Sequence, residues 1–530
     1  MVKYLIALLL AAAVLGGCRR NSQVAAPRGT SAQSSVNLLE GAAPSFAIVK
    51  PGVEPAWQDD LVLSTNDFEE LRAWAMPPEF AIKTRYLFLA GDTADFVALE
   101  LNKSMAASAW FLNGRIVPTP LAGQQYASVP GIPLSLLRPL TNELTGIWTR
   151  DELQRFCYQR TKLPSERLKQ ALEVELRQKV ALRGLACRDL ALQSGPVVGF
   201  AGTNFLTIAC RVNLPVGVTL AMDRRTFESP EGFFHRFKVE GLKPDTIYAY
   251  SLGATCAGRA APLSEGPFRT RTLPAQGPLI FAALGDNRSY PETWGRVATA
   301  VAKQKPMFVI HTGDLVTQGL DDAQWDSQCL GPAADLLASI PTFVAAGNHE
   351  QNSQVYYQMF SVPAGATNWV QEVGPVLFIG LNDISTNSAA WLDGLLAAST
   401  AKFIFMVCHY PIVSSSERSP AVMRAAFLPV LTRHAVTAEI AGHDHFYERS
   451  ELPEGLTVIV TGGAGAPLYT KKEKPDNQPV NPHSRSYLSD YHFCIFTVEG
   501  ATCSLQALTL DGKVFDRRVW QERKRPALAR

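Results

Sequence analysis

The sequence predicts a multidomain protein in which an α/β domain (residues 276–515) is preceded by two β-sandwich domains, at 45–150 and 189–275. Three observations lead there. Between residues 279 and 441, short apolar runs recur with helix-like segments between them, the pattern of a sheet covered by helices. Between residues 205 and 250, apolar and polar residues alternate, as they do in half-buried strands. The 530 residues, 47% hydrophobic and 18% charged, are globular in composition and too many for one core.

At the N-terminus Lys3 precedes an apolar run from Leu5 to Val14, then Leu15-Gly16-Gly17-Cys18. A run this short reads as a secretory signal rather than a membrane span. Small residues before a cysteine resemble the bacterial lipoprotein cleavage box. The resemblance implies lipidation of Cys18, attachment to a membrane through that lipid, and a place in the bacterial cell envelope outside the cytoplasm. An ordinary cleaved signal with a stray cysteine is the other reading of residues 1–18. Residues 19–44, rich in Ser, Ala, Gln, Pro and Gly, have the composition of a flexible tether.

In 45–150, Tyr86 to Ala90, Phe96 to Leu101 and Ser108 to Leu112 read as strands, with a turn at Asn113-Gly114. This segment resembles the galactose-binding-like β-sandwich. The resemblance leaves two roles open, binding a glycan or a purely structural one. Residues 151–188 read as a helical connector, with Leu163-Pro164-Ser165-Glu166 opening an amphipathic run through Arg183. In 189–275 the strand runs are Phe205 to Val212, Gly217 to Met222 and His235 to Val239. The stretch Gly241 to Tyr250 resembles the fibronectin type III signature, which implies that the Tyr248 hydroxyl bonds back to the chain at a corner.

Five runs in 276–515 each end in a polar motif. Leu279 to Leu284 leads to Gly285-Asp286, Met307 to Ile310 to Gly313-Asp314, and Thr342 to Ala346 to Gly347-Asn348-His349-Glu350. Phe403 to Cys408 leads to His409, and Val436 to Ala441 to Gly442-His443-Asp444-His445. Loops at strand ends are where α/β enzymes place their chemistry. Carboxylates, an amide oxygen and imidazoles together suit transition-metal ions such as Fe, Mn or Zn. Eight of the nine histidines fall in this domain. Helical segments are expected at Glu292 to Lys305, Asp321 to Ser339, Ala389 to Ser399 and Ala421 to His434.

The motifs, in this order, resemble the calcineurin-like metallophosphoesterases, and within them the purple acid phosphatase-like branch, over roughly residues 190–515. The resemblance implies two packed β-sheets with helices outside and a pair of divalent or trivalent metal ions. Asp314 would bridge the ions, Asp286 and His445 would complete one site, and Asn348, His409 and His443 the other. A hydroxide shared by the ions would attack the phosphorus of a phosphoester substrate. His349 would stabilise charge or protonate the leaving oxygen.

Two positions depart from the family pattern. Arg288 stands where many members have a histidine ligand, and Thr317 where the purple branch has a tyrosine ligand. The first site thus lacks an expected ligand, and no purple colour is expected without the tyrosinate. Arg288 offers a planar fork for phosphate oxygens. With Thr317 no carboxylate, His349 is expected to be oriented by Asp321, Asp322 or Glu350. Tyr290, Tyr410 and Tyr447 adjoin the motifs as candidate pocket walls. The implied function is metal-dependent hydrolysis of phosphoric esters, as a phosphatase or phosphodiesterase. The alternative is a non-catalytic surface lipoprotein with a degenerate metal site, binding through its N-terminal β-sandwich.

A formal net charge of +2 gives no nucleic-acid-binding signal, and the basic tail at 516–530 reads as solvated. Setting Cys18 aside, eight cysteines remain, an even number for an oxidising compartment. Cys494 and Cys503 flank a Glu499-Gly500 turn and are candidates for a hairpin bridge. Cys210–Cys256 and Cys157–Cys187 are further expected pairs, and Cys408 is expected to be a free core thiol.

Overall fold

The computed structural model describes residues 38–39, 42–89, 96–101, 109–117, 132–133, 136–138, 141–160, 162–177, 180–264, 266–360, 368–472 and 479–523. Cys18, the apolar run before it, most of the expected tether and residues 524–530 of the basic tail lie outside the described residues. Among the described residues no helix is long and apolar enough to cross a membrane.

The N-terminal part has two antiparallel sheets. One orders its strands Ser45–Val49, Ala81–Leu89, Thr141–Thr149, Ala109–Leu112, Arg115–Val117, and the other Ile132–Pro133, Phe96–Leu101, Val180–Leu185. Alternation in Ala81–Leu89 sends Ile82, Tyr86 and Phe88 inward, where they share a core with Trp110, Trp148, Val97 and Leu99. The helices Arg150–Tyr158 and Ser165–Arg177 add Leu153, Phe156, Leu168, Leu172 and Leu176 to that core. They are part of this unit, not a connector. The amphipathic run also ends at Arg177, short of Arg183, because Val180–Leu185 returns as a strand against Phe96–Leu101.

Residues 192–271 form a six-stranded sheet that is hydrogen-bonded throughout. The two runs expected on either side of Pro215 are one 18-residue strand, Phe205–Met222. It changes partner from Leu192–Ala201 to Ile247–Cys256 where its register slips, between Arg211 and Val218. A bulge tolerates the proline that an unbroken ladder would not. The Tyr248 hydroxyl accepts a hydrogen bond from the Lys243 amide at 2.8 Å, the corner contact expected. The disulfide joins Cys187 to Cys256, correcting both pairs predicted for these residues. Cys157 and Cys210 are instead buried free thiols. Cys494 and Cys503 are also free: Cys494 faces Ala507 and Cys503 faces Val498 across the ladder, so the hairpin bridge has no register. Cys408 is a free core thiol, as expected.

The C-terminal domain strands are β1 (Leu279–Leu284), β2 (Phe308–His311), β3 (Thr342–Val344), β4 (Asn368–Val373), β5 (Val376–Leu381), β6 (Phe403–Cys408) and β7 (Ala438–Ala441). They continue as β8 (Tyr447–Glu451), β9 (Thr457–Thr461), β10 (Ser484–Leu488), β11 (His492–Glu499), β12 (Thr502–Thr509) and β13 (Val514–Gln521). One sheet runs β3-β2-β1-β11-β12-β13, the other β4-β5-β6-β7-β9-β8-β10. The two pack face to face through aromatic rings. Phe281 and Phe308 of the first meet Phe378 of the second edge to face, with centroids 5.0 and 5.3 Å apart. The sheets are parallel at β1-β2-β3 and at β5-β6-β7-β9. Strands β5 and β6 are buried at all six positions, which is why the run expected at Phe403 to Cys408 is unbroken and apolar.

Helix α1 (Pro291–Lys303) starts with proline in its first turn and buries Trp294, Val297, Ala298 and Val301, a single face at helical spacing. Helix α2 (Thr386–Ala398) is capped by Ser385, whose hydroxyl accepts from the Ser388 amide. The helix expected over Asp321 to Ser339 is interrupted: a wide turn at Trp325–Leu330 runs into Gly331-Pro332 before the helical turns of Ala334–Ser339. Part of the basic tail is edge strand β13, where Asp516 accepts from Tyr447 and Arg449 and Trp520 stacks on Phe496. The sheet of residues 192–271 joins this domain through shared core and polar contacts. Phe200 stacks on Phe343 at 5.2 Å, the Tyr250 hydroxyl donates to the Ala338 carbonyl, and buried Arg211 pairs with Asp322 at 2.8 Å.

Candidate metal centre

All the predicted site residues of this domain come from loops leaving the C-terminal ends of parallel strands. Asp286 and Arg288 follow β1, Asp314 follows β2, and Asn348 and His349 follow β3. His409 follows β6, and His443 and His445 follow β7. Three of the turns place a non-glycine residue in the left-handed region, with φ of 60° at Asp286, 57° at Asp314 and 69° at His443. Such backbone is costly and persists where surrounding bonds over-determine it. Here the Asp286 carboxylate accepts from the His443 amide at 3.0 and 3.1 Å, locking two of the three turns together. Gly442 must be glycine, because a Cβ there would collide with the Asp286 carboxylate.

The donors converge. Asp286, Asp314 and His409 each bring a ligand atom to within 4.8 Å of the others. His409 Nε2 lies 3.1 Å from Asn348 Oδ1, 3.2 Å from His443 Nδ1 and 3.4 Å from Asp314 Oδ1. The Nδ1–H of His409 donates to the Thr312 carbonyl at 2.9 Å, which fixes the ring with Nε2 facing the cluster. His445 is held in the same way, donating from Nδ1 to the Pro467 carbonyl at 2.6 Å and presenting Nε2 to Asp286 Oδ1 at 3.5 Å. Two ring nitrogens, an amide oxygen and a carboxylate oxygen this close repel unless a cation or proton lies among them. The charges respond accordingly. Burial alone would raise the Asp314 carboxyl, but His409 and His349 beside it hold it well below the usual carboxylate range. Burial works against a charged His409, yet Asp314 and Asp286 push it up to about 10. Burial, with His409 next to it, takes His443 down to about 3.

Arg288 is also brought in. Its Nε lies 3.4 Å from Asp314 Oδ2 and its Nη2 3.5 Å from His445 Nε2. His349 approaches Asp314 with Nε2 at 3.8 Å, while its Nδ1–H donates to the Thr317 carbonyl at 2.6 Å. None of the acids expected to orient His349 does so. Asp321 caps the Asp322–Gln324 turn, Asp322 pairs with Arg211, and Glu350 turns inward. A backbone carbonyl does the work, and it belongs to the residue whose side chain departs from the family pattern. Tyr410 stands beside His443 with ring centroids 4.6 Å apart. Tyr447 is buried against Phe515 and bonded to Asp516, away from the pocket, and Tyr290 is exposed.

Sequence reading undervalued two residues. Fully buried Glu350 accepts from the amides of Asp314 at 3.0 Å, Leu315 at 2.7 Å and Gly347, tying the β2 and β3 loops together. Burial, then the nearby Asp314 charge, push its carboxyl up to about 7. Its only sequence signal was an acid directly after the Asn-His pair. Tyr469, which lies in none of the five motifs, stacks on His445 at 4.1 Å, with the Arg418 guanidinium 5.1 Å from its ring.

Residues 280–447 match the calcineurin-like phosphoesterase family. The chain thus carries a calcineurin-like metallophosphoesterase domain over those residues and is a phosphoesterase enzyme with purple acid phosphatase homologues. Tartrate-resistant acid phosphatase type 5 of Sus scrofa is 25% identical over 256 residues, covering 38% of this chain and 75% of that protein. Purple acid phosphatase 5 of Arabidopsis thaliana is 25% identical over 286 residues, 48% of this chain and 63% of that one. In fold, the chain is similar to the purple acid phosphatase PPD1 from yellow lupin (Lupinus luteus) seeds, with a TM-score of 0.55 and 14% identity over 83% of this chain and 93% of the lupin chain.

Proposed function

We propose that this chain is a metal-dependent hydrolase of phosphoric esters, working outside the cytoplasm on a lipid anchor at Cys18. The observation that carries the catalytic part is the convergence of Asp314, Asn348, His409 and His443 on one point, with two of the ring orientations at the site fixed by backbone carbonyls. Those four groups fit a transition-metal ion of the Fe, Mn or Zn type, two imidazoles and two oxygens being a mixed donor set suited to it. An ion there supplies Lewis-acid chemistry, polarising the phosphoryl group and acidifying water. Asp286 holds the β7 turn in place through the His443 amide, and Arg288 offers its fork to phosphoryl oxygens. His349, more open to solvent than Asp314, is placed to give a proton to the leaving oxygen.

Protein reconstituted with Mn, Fe or Zn is expected to hydrolyse nitrophenyl phosphate, and chelator-stripped protein to lose this activity. A panel of monoesters and diesters then separates phosphatase from phosphodiesterase action. Undiminished hydrolysis by fully stripped protein would falsify the metal-dependent reading. The anchor rests on the small residues before Cys18 and on the apolar run preceding them. Cys18→Ser is expected to move the protein from the membrane fraction to the soluble fraction in a bacterial host. Unchanged membrane association of that variant would remove the anchor from the proposal.

A further inference from the structure

We infer that the Arg288 guanidinium takes the place of one metal ion, so that this chain holds a single transition-metal ion, at Asp314, Asn348, His409 and His443, beside a fixed organic cation. The inference rests on the metal-dependent reading above and departs from the two-ion expectation.

The atoms an ion of the first site would need are Asp286 Oδ1, His445 Nε2 and an oxygen of Asp314. The guanidinium faces two of them. Its Nη2 lies 3.5 Å from His445 Nε2 and its Nε 3.4 Å from Asp314 Oδ2. His445 turns Nδ1 to the Pro467 carbonyl, so it is Nε2 that faces the site, and a guanidinium N–H is what the lone pair of a neutral ring meets there. An ion would have to approach these same atoms to about 2 Å, in space the guanidinium already borders. The side chain is 13% exposed, and its Nε makes no hydrogen bond among the described residues, so its contribution there is charge.

The two departures from the family pattern meet at this point. Arg288 Nη1 lies 3.3 Å from Ser289 Oγ, and that hydroxyl lies 3.3 Å from Thr317 Oγ1. Gln328 Oε1 accepts from the Ser289 amide at 3.3 Å, the Thr317 amide at 2.9 Å and the Thr317 hydroxyl at 3.0 Å. Positions 288 and 317, where relatives are expected to supply ligands, here form one hydrogen-bonded support for a guanidinium. Charge points the same way. One divalent ion with Arg288 exceeds the Asp286 and Asp314 carboxylates by a single positive charge, whereas a second ion would add two more to a buried site. A permanent cation also keeps a planar fork ready for phosphoryl oxygens without being loaded.

The test counts ions. The full chain, stripped and reconstituted with excess Mn²⁺, is freed of loose metal and measured by elemental analysis and electron paramagnetic resonance. One ion per chain is expected, with the six-line spectrum of isolated Mn²⁺. Arg288→His is expected to raise the count to two and to give the broadened signal of a coupled pair. Two ions in the unaltered chain with hydrolysis intact overturn the inference and leave the phosphoesterase proposal standing. No ion and no metal dependence remove both. An Arg288→His protein that stays at one ion overturns the assignment to Arg288. Should that variant not fold, the count in the unaltered chain decides alone, with Arg288→Lys, which keeps the charge, expected to remain at one.

Discussion

Asp314→Asn is expected to lower phosphoester hydrolysis by about a thousandfold or more, the equivalent of roughly 4 kcal/mol in the transition state. Asp314 is the residue on which the site's nitrogen groups converge. One oxygen faces His409 Nε2 at 3.4 Å and accepts from the His349 amide at 3.0 Å. The other faces Arg288 Nε at 3.4 Å and His349 Nε2 at 3.8 Å. Asparagine keeps the shape but removes the negative charge, and turns an N–H₂ toward a guanidinium or an imidazole. Metal affinity should fall with activity. The fold should hold, because a neutral amide is cheaper to bury than a carboxylate and Glu350 still ties the surrounding loops. Rates and metal content are to be measured beside circular dichroism. A folded variant within tenfold of the unaltered protein would exclude Asp314 from the centre.

His349→Ala is expected to split its effect by substrate. General acid catalysis contributes about 10²–10⁴-fold where the departing oxygen is strongly basic, and little where it is not. An alkyl phosphate should therefore lose on that scale, and nitrophenyl phosphate far less. The structure gives the imidazole the right orientation for this. Its Nδ1–H is committed to the Thr317 carbonyl, so Nε2, beside Asp314 and partly open to solvent, is the atom from which the protonated ring would give its proton. Equal losses on both substrates would mean that His349 acts through charge or position instead. No loss on either would take it out of the mechanism.

How much of this was legible in the sequence depended on whether side chains or backbone did the work. Strands β1 and β6 were found at their full length, since a strand buried on both faces is an unbroken apolar run, and the polar motifs fell at strand ends. Strand β5 is as apolar as β6 yet went unnoticed, because no ligand motif follows it. Val180–Leu185 was absorbed into a helical pattern, and only its pairing with Phe96–Leu101 makes it a strand. The Cys187–Cys256 bridge spans 69 residues and depends on how the sheet folds back, which spacing does not encode. In the site, the ligand set was legible and its support was not. The Thr317 carbonyl orienting His349, and the amides gathered by Glu350, are backbone groups that every residue possesses. Arg288 was visible as an oddity, but its reach to both Asp314 and His445 needed coordinates.

The origin of the donors has a consequence for how the chain folds. Asp286, Asp314 and Asn348 leave one sheet, while His409, His443 and His445 leave the other. The bond that locks the two halves, from the His443 amide to Asp286, joins residues 157 positions apart. Contacts of such high sequence separation form late, because loop closure must precede any return from them. Neither sheet alone contains the centre, so a nascent or half-docked chain has no working site to expose to the phosphoesters around it. Metal capture becomes a report that both sheets have met, and ions in the compartment where the chain folds would draw the equilibrium toward that docked state.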